Sequence, residues 1–353
     1  MKILIVKTSS LGDIIHAFPL LEQLRNQYPE ATIDWVVEDP FAQLVQAHPA
    51  VNNVLRVKTK KWRKSFFKKE TREEIRAFIR LLRSNKYDLL YDLQGNIKSG
   101  LITGAAISSQ KIGFAKETVP ELPNMLFTTR RYNPPKGHNI REDYLFLAHN
   151  QISGPFQGGE GVQLKISKDD EVKIQTLLGH PKLSKGKKIL VCSGSNWTNK
   201  QLSKECLGAF LKKISQANEV SYLFAWGSPE EQKIANGLAE SFPESSIVID
   251  KLGLPALQNL MSRLDLVIAM DSLPLHLAGT TPTPTYSVFG ASLSEKYKPL
   301  GQRHGSFQGA CPYGQKFEKR CTILRTCSTG SCVKDIQPDM LYNHFAQWWR
   351  AYA

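Results

Sequence analysis

Twice along this chain, short apolar runs of strand composition alternate with amphipathic helical stretches, and that alternation restricts the fold more than any other feature. In the first block Lys2 to Lys7, Thr32 to Val37, Val54 to Val57, Tyr87 to Asp92 and Lys111 to Phe114 read as strands. Helical patterns over Ile14 to Tyr28, Glu70 to Ser84 and Ile97 to Ile107 lie between them, and Asp39-Pro40 opens a shorter helix. A less regular middle follows, with a helix expected over Asn139 to Asn150. The second block then runs strand Lys188 to Cys192, helix Ser203 to Ile214, strand Ser221 to Ala225, helix Pro229 to Ser241, strand Ile247 to Val248 and helix Leu254 to Ser262. It closes with the apolar run Leu266 to Ala269, the sequence Asp271-Ser-Leu-Pro-Leu-His276, and Thr285 to Gly290. Strands linked through helices pair in parallel and are covered on both faces, so the expected class is α/β with two doubly wound domains, 1–160 and 161–335. The linker is expected in the glycine-rich stretch Gly154 to Gly161. The remaining segment, 336–353, is expected to be an amphipathic helix that packs on a domain, with a return to the first domain as one way to bury Phe345, Trp348 and Trp349. Its single arginine and single histidine make a poor cationic face for lying in a membrane.

Composition bounds the function. With 41% apolar and 22% charged residues, a chain of 353 residues can build two full cores and is not a disordered protein. The opening Met1-Lys-Ile-Leu-Ile-Val6 is too short for a signal-peptide core and no apolar run approaches a membrane span, so a cytoplasmic protein is expected. A formal charge of +14 calls for an acidic partner, which could be nucleic acid, an anionic membrane surface or an anionic substrate. Of six cysteines, Cys192 and Cys206 fall in a strand and a helix, while Cys311, Cys321, Cys327 and Cys332 cluster at spacings that are not paired C-x2-C knuckles. Reduced thiols, an occasional disulfide and a metal all remain open for the cluster, with no metal taken as the expectation.

Ligands of open α/β sheets bind beyond the carboxyl ends of the strands, so the candidate residues are loop residues. No G-x-G-x-x-G follows either leading strand and no G-x-x-x-x-G-K-S/T loop is present, which removes the usual signatures of hydride transfer and P-loop phosphoryl transfer. The run ending at Met270, with Asp271-Ser272 as helix cap and Pro274 inside the first turn, reads as strand, tight turn and helix start, a place suited to phosphate. His276 lies one turn further on, and its plainer reading is a surface histidine.

Taken jointly, several segments resemble the ADP-heptose:lipopolysaccharide heptosyltransferases. They are Lys2-Ile-Leu-Ile-Val-Lys-Thr-Ser-Ser-Leu-Gly-Asp-Ile-Ile-His16, Asp34-Trp-Val-Val-Glu38, Trp62-Arg-Lys64, Asp92-Leu-Gln-Gly95, Ala225-Trp-Gly-Ser-Pro-Glu-Glu231, and Asp271 with His276 and Ala278, in the same order from Met1 to about Gly290. The resemblance implies a GT-B architecture of two facing Rossmann-like domains, and metal-independent transfer with inversion at the sugar carbon. It implies no cofactor. Its substrates would be ADP-heptose and a Kdo-lipid A acceptor at an anionic inner-membrane surface, with no role for nucleic acid.

Residue by residue, the resemblance makes Asp13 the general base that takes the acceptor's proton, where an N-cap on the first helix is the plainer reading. Lys200 would meet the charge developing on the departing diphosphate. Ser195, Asn196, Trp226, Glu231, Asp271, Ser272 and His276 complete the donor side, with Glu231 on the ribose hydroxyls, although Pro229-Glu230-Glu231 is also an ordinary acidic first turn. On the acceptor side stand Lys7, Ser10, Lys60, Lys61, Arg63, Lys64 and His138, the basic run otherwise being a solvated face. Two departures touch these roles. Ser272-Leu273-Pro274 keeps a hydroxyl but lacks the glycine common after the aspartate, and Arg141-Glu142 reverses the expected order near His138. A transferase for another sugar or a later core position, a nucleotide-sugar epimerase or hydrolase, and a nucleic-acid-binding protein suggested by charge alone and lacking a recognisable motif are the rival readings.

Overall fold

The structure is a computed structural model that describes residues 1–149, 161–316 and 318–352. The chain divides into two compact units, Met1–Lys165 and Ile166–Ala353. Most of the expected linker, and the expected helix end at Asn150, lie outside the described residues.

The first unit holds six strands: β1 (Lys2–Val6), β2 (Thr32–Glu38), β3 (Asn53–Val57), β4 (Lys86–Asp92), β5 (Ile107–Phe114) and β6 (Arg130–Tyr132). They form one sheet in the order β3-β2-β1-β4-β5-β6 with every pair parallel. The second unit repeats this with β7 (Lys187–Cys192), β8 (Val220–Ala225), β9 (Ser246–Val248), β10 (Leu266–Met270), β11 (Thr285–Phe289) and β12 (His304–Gln308), ordered β12-β11-β10-β7-β8-β9 and again all parallel. The central strands are continuous apolar runs because helices cover both faces: Ile3 to Val6 and Leu266 to Met270 are wholly buried.

Where the structure departs from the sequence expectations, local chemistry explains it. The helix expected over Ile14 to Tyr28 is two helices, Leu11–His16 and Phe18–Gln27, and Pro19 sits in the first turn of the second, where its missing N–H has no helical partner to lose. β5 begins at Ile107 rather than Lys111, through a polar, partly exposed stretch that does not look like a buried strand. β6 is only three residues long, and β12 carries Gly305 and Ser306, so neither has a strand signature. Two helices, Thr59–Lys64 and Lys168–Leu178, were not anticipated; Ser167 caps the second by accepting from the Asp170 N–H at 3.1 Å.

The last helix, Pro338–Tyr352, places its apolar stripe on the second unit's own core, the expected packing on a domain. Leu341 and Phe345 are buried there, and Phe345 meets Tyr286 and Phe210 edge-on with ring centroids 5.0 and 5.5 Å apart. Gly305 of β12 is required beneath it, since a Cβ there would fall 2.5 Å from the Trp348 ring. Phe345→Ala is expected to lower stability by about 3–5 kcal/mol, read as a lower urea midpoint for the second unit.

His48 is one pH-sensitive element of the first core. It is fully buried, with its ring 4.6 Å from that of Phe18, and its Nδ1 accepts from the Ala50 N–H at 3.2 Å. Burial, with Lys165 and Arg25 adding to it, depresses its pKa to about 3. The folded state therefore holds fewer protons than the unfolded chain between pH 6.5 and about 3, so stability is present above pH 6.5 and is lost as pH falls through that window. His48→Asn, which keeps an acceptor but does not titrate, is expected to flatten the acid limb of a urea-midpoint against pH curve.

Candidate active site

In both sheets the order in which strands are added reverses once: between β1 and β4 in the first unit, and between β7 and β10 in the second. In open α/β sheets the crevice for a ligand lies outside the carboxyl ends of the strands at this reversal. Lys7 and Asp13 follow β1, Gln94 follows β4, the Gly194 to Lys200 loop follows β7, and Asp271 to His276 follow β10. One sequence rule thus places most of the expected residues at two such positions.

In the first unit, Asp13 is the third residue of the Leu11–His16 helix and is half-exposed. Its carboxylate accepts from the Ser10 N–H at 3.1 Å and the Ser10 hydroxyl at 2.8 Å, which fixes the side chain while leaving acceptor capacity for a substrate proton. Lys7 is buried rather than presented to solvent. Its ammonium donates to the Leu93 carbonyl at 3.1 Å and stands 5.1 Å from the centre of the Tyr144 ring. Burial lowers the Lys7 pKa, while the charges of Asp13 and Asp92 pull the other way. Lys7 is thus a buried group whose electrostatics are coupled to those of Asp13 and Asp92.

Asp92, the last residue of β4, ties this crevice together. It accepts from the N–H groups of Gln94 and Gly95 at 3.0 and 2.9 Å, the Thr103 hydroxyl at 3.1 Å and the Asn124 amide at 2.7 Å. Burial raises its pKa against these hydrogen bonds. Gln94 in turn accepts from the Ser9 N–H at 3.1 Å.

The basic run forms the short helix Thr59–Lys64, held at its start by Glu38 of β2, which accepts from the Thr59 N–H at 3.1 Å and from its hydroxyl. Lys60, Arg63 and Lys64 are exposed. Lys61 is committed to Glu74 at 2.7 Å, a carboxylate also held by the Trp62 indole N–H at 2.9 Å. Lys61 is thus the member of the run least available to an acceptor. His138 is exposed in the Pro134 to Asn139 loop.

In the second unit the structure brings Lys200, Asp271 and His276 together. The Lys200 ammonium donates to Asp271 Oδ2 at 2.6 Å and to the Ser292 hydroxyl at 2.6 Å, with both charged side chains buried. His276 is buried rather than on the surface, its Nε2 3.9 Å from Asp271 Oδ1. Burial pushes the Asp271 pKa up, but the charges of Lys200 and His276 and hydrogen bonds from Lys200 and Ser292 outweigh it and hold the carboxyl below its ordinary range. The helix that opens at Ser272 spans only Leu273–Ala278, and the Ser272 side chain turns back to the Met270 carbonyl at 3.3 Å instead of capping. So short a helix gives little dipole, and the fixed charge at this crevice comes from Lys200.

The remaining donor-side residues sit around the ends of β7 and β8. Ser195 is half-exposed, its carbonyl accepting from the Gln201 amide at 2.7 Å, and Asn196 is exposed. The Trp226 indole donates to the Ile249 carbonyl at 2.9 Å. Glu231 accepts from the Gly227 N–H at 2.7 Å and lies directly over Gly194, where a Cβ would come 2.1 Å from its carboxylate. Glycine at 194 is what lets that carboxylate close over the β7 loop.

Sequence reasoning missed Ser292, and Asn199 lies in the candidate loop after β7 without a role of its own. The Asn199 amide donates to the carbonyls of Leu324 and Cys327 at 2.7 and 3.1 Å, and the Cys321 N–H donates to the Ala291 carbonyl at 2.8 Å. The cysteine-rich segment therefore braces the neighbours of both Lys200 and Ser292. No spacing rule could have found this, since the partners are more than a hundred residues apart in the case of Asn199. All six cysteines are free, and Cys311, Cys321, Cys327 and Cys332 line a cavity of about 20 Å³. Among the described residues, no three His, Cys, Asp or Glu side chains are grouped to hold a metal ion.

Two Rossmann-like units, each a parallel six-stranded sheet, are the architecture of the GT-B class of glycosyltransferase, and the sequence profile places the chain in such a class. The chain belongs to glycosyltransferase family 9 (heptosyltransferase), whose sequence profile matches residues 75–326. It is 28% identical over 326 residues to lipopolysaccharide heptosyltransferase 1 of Pseudomonas aeruginosa, covering 92% of this chain and 89% of that protein. It is 27% identical over 290 residues to the Escherichia coli protein of the same name, covering 82% of this chain and 88% of that one. Among solved structures, E. coli heptosyltransferase WaaC with ADP-2-deoxy-2-fluoro heptose matches with a TM-score of 0.74 and 25% identity over 100% of both chains.

Removing one partner of a buried ion pair leaves a charge out of water with no answer. Lys200→Met is therefore expected to destabilise the second unit by about 3–5 kcal/mol, whereas Lys200→Met with Asp271→Leu is expected to recover most of that loss in chemical unfolding.

Proposed function

We propose that this chain moves a heptose from ADP-heptose to the Kdo region of a lipopolysaccharide precursor, with inversion at the sugar carbon and without a metal ion. The first unit binds the acceptor and the second the donor, at the inner face of the inner membrane, where a charge of +14 is attracted to anionic lipid. Family membership and the lipopolysaccharide heptosyltransferases among the relatives support the reaction class. The observation that carries the mechanism is Asp13: a half-exposed carboxylate oriented by Ser10, with the buried Lys7 electrostatically coupled to it.

In this reading Asp13 accepts the proton of the acceptor hydroxyl as its oxygen attacks the anomeric carbon, and the bond from that carbon to the diphosphate breaks on the opposite face. ADP departs with the bonding electrons. Lys200 uses two of its three N–H donors on Asp271 and Ser292, so the third can meet the leaving diphosphate from a fixed position. Ser195, Asn196, Ser272 and Trp226 add contacts to the donor, Glu231 holds the ribose hydroxyls, Asp271 holds Lys200, and His276 stands beside Asp271. Lys60, Arg63, Lys64 and His138 meet the carboxylates and phosphates of the acceptor.

ADP release from ADP-heptose, measured with and without Kdo-lipid A, tests this. Release that requires the acceptor is expected, with Asp13→Asn lowering kcat roughly 100- to 10,000-fold and leaving donor binding intact. Release without acceptor would instead indicate a hydrolase, and full activity in Asp13→Asn would remove the base.

A further inference from the structure

We infer that the turn carrying Phe66 and Phe67 is an interfacial anchor that inserts both rings into an anionic lipid bilayer beside the acceptor site. Phe67 is 88% exposed and Phe66 52%, and their rings meet edge-on with centroids 5.8 Å apart. A single exposed apolar side chain is ordinary; two adjacent large rings held out on an ordered turn are not. The turn is ordered by its own bonds. Lys68 N–H donates to the Ser65 carbonyl at 3.0 Å, Ser65 Oγ donates to the Lys61 carbonyl at 2.9 Å, and the Arg72 guanidinium donates to the Phe67 carbonyl at 2.8 Å.

The surrounding charge selects the partner. Between positions 58 and 69 the chain has seven lysines and arginines and no acidic residue, with cations on both sides of the two rings. Glu74, which reaches back toward this segment, is already bound by Lys61. Aromatic rings flanked by exposed cations fit the boundary between anionic headgroups and acyl chains, where the rings leave water and the cations stay at headgroup level. A protein surface would need a matching acidic rim around an apolar socket. The inference builds on the acceptor reading, whose substrate is itself bilayer-held, and can fail separately from it.

The test uses the full chain with phosphatidylcholine vesicles, with and without phosphatidylglycerol, and the double variant Phe66→Ser/Phe67→Ser. Native protein is expected to co-sediment with the phosphatidylglycerol vesicles and to be released by salt. The double variant is expected to partition roughly tenfold or more weakly, the scale set by leaving two rings in water, while turnover of a deacylated, water-soluble acceptor stays native. Equal partitioning of the two proteins, or no vesicle binding by native protein, would overturn the inference. So would ring-dependent binding to a protein partner with none to vesicles. Vesicle binding that depends on the rings in a protein that transfers no heptose would uphold the anchor and sink the transferase reading instead.

Discussion

The ion pair between Lys200 and Asp271 is out of water, and a buried charge must be matched at once by geometry and hydrogen bonds or it destabilises the fold. Much of the second unit's local architecture follows from that demand. The β7 loop has to turn inward so that Lys200 reaches the end of β10, the end of β11 has to deliver Ser292 to the same ammonium, and Asn199 has to tie the turn down to the cysteine-rich segment. The first unit meets the same demand differently. There Lys7 and Asp92 are buried near one another at the ends of β1 and β4, and backbone groups supply most of their partners. In both units the charges stand where the strand order reverses, so the cost of burying them is tied to the place where a ligand can use their field.

The fold was legible because parallel sheets covered on both faces demand long apolar runs, and β1, β4, β7 and β10 have them. What escaped was whatever lacked that signature. β12 is polar and glycine-containing yet becomes a strand because it pairs with β11 beneath the last helix, a tertiary effect that no window of sequence carries. The helix over Thr59–Lys64 looked like a charge run because six residues with one aromatic offer no apolar period to read.

The candidate site was legible as loops and less so as roles. Placing ligands at strand ends located Asp13, Lys200 and Asp271 correctly as neighbours of the sheet reversals. Exposure was harder: His276, whose plainer reading is a surface histidine, is buried, and so is the acceptor-side candidate Lys7, because a helix of one and a half turns, or a lysine at a strand end, gives no pattern that distinguishes the two states. Lys61 read as a ligand and is engaged by Glu74, a partner thirteen residues away on the next helix. Burial and pairing are properties of the packed molecule, and they redistribute roles among residues the sequence had treated alike.

Among the described residues, the order of the two sheets also leaves β3, β6, β9 and β12 with an unpaired edge each, and parallel strands are slow to assemble, so such edges are open to stray chains while folding proceeds. Each is blunted in its own way. β6 and β9 stop at three residues, β6 and β3 bear exposed arginines, and β12 lies against the final helix with the Trp348 ring over Gly305. The tryptophan-rich C-terminus thus does more than fill a core: by laying the Trp348 ring on Gly305, it supplies the apolar cover that this glycine-softened strand has no side chain of its own to provide.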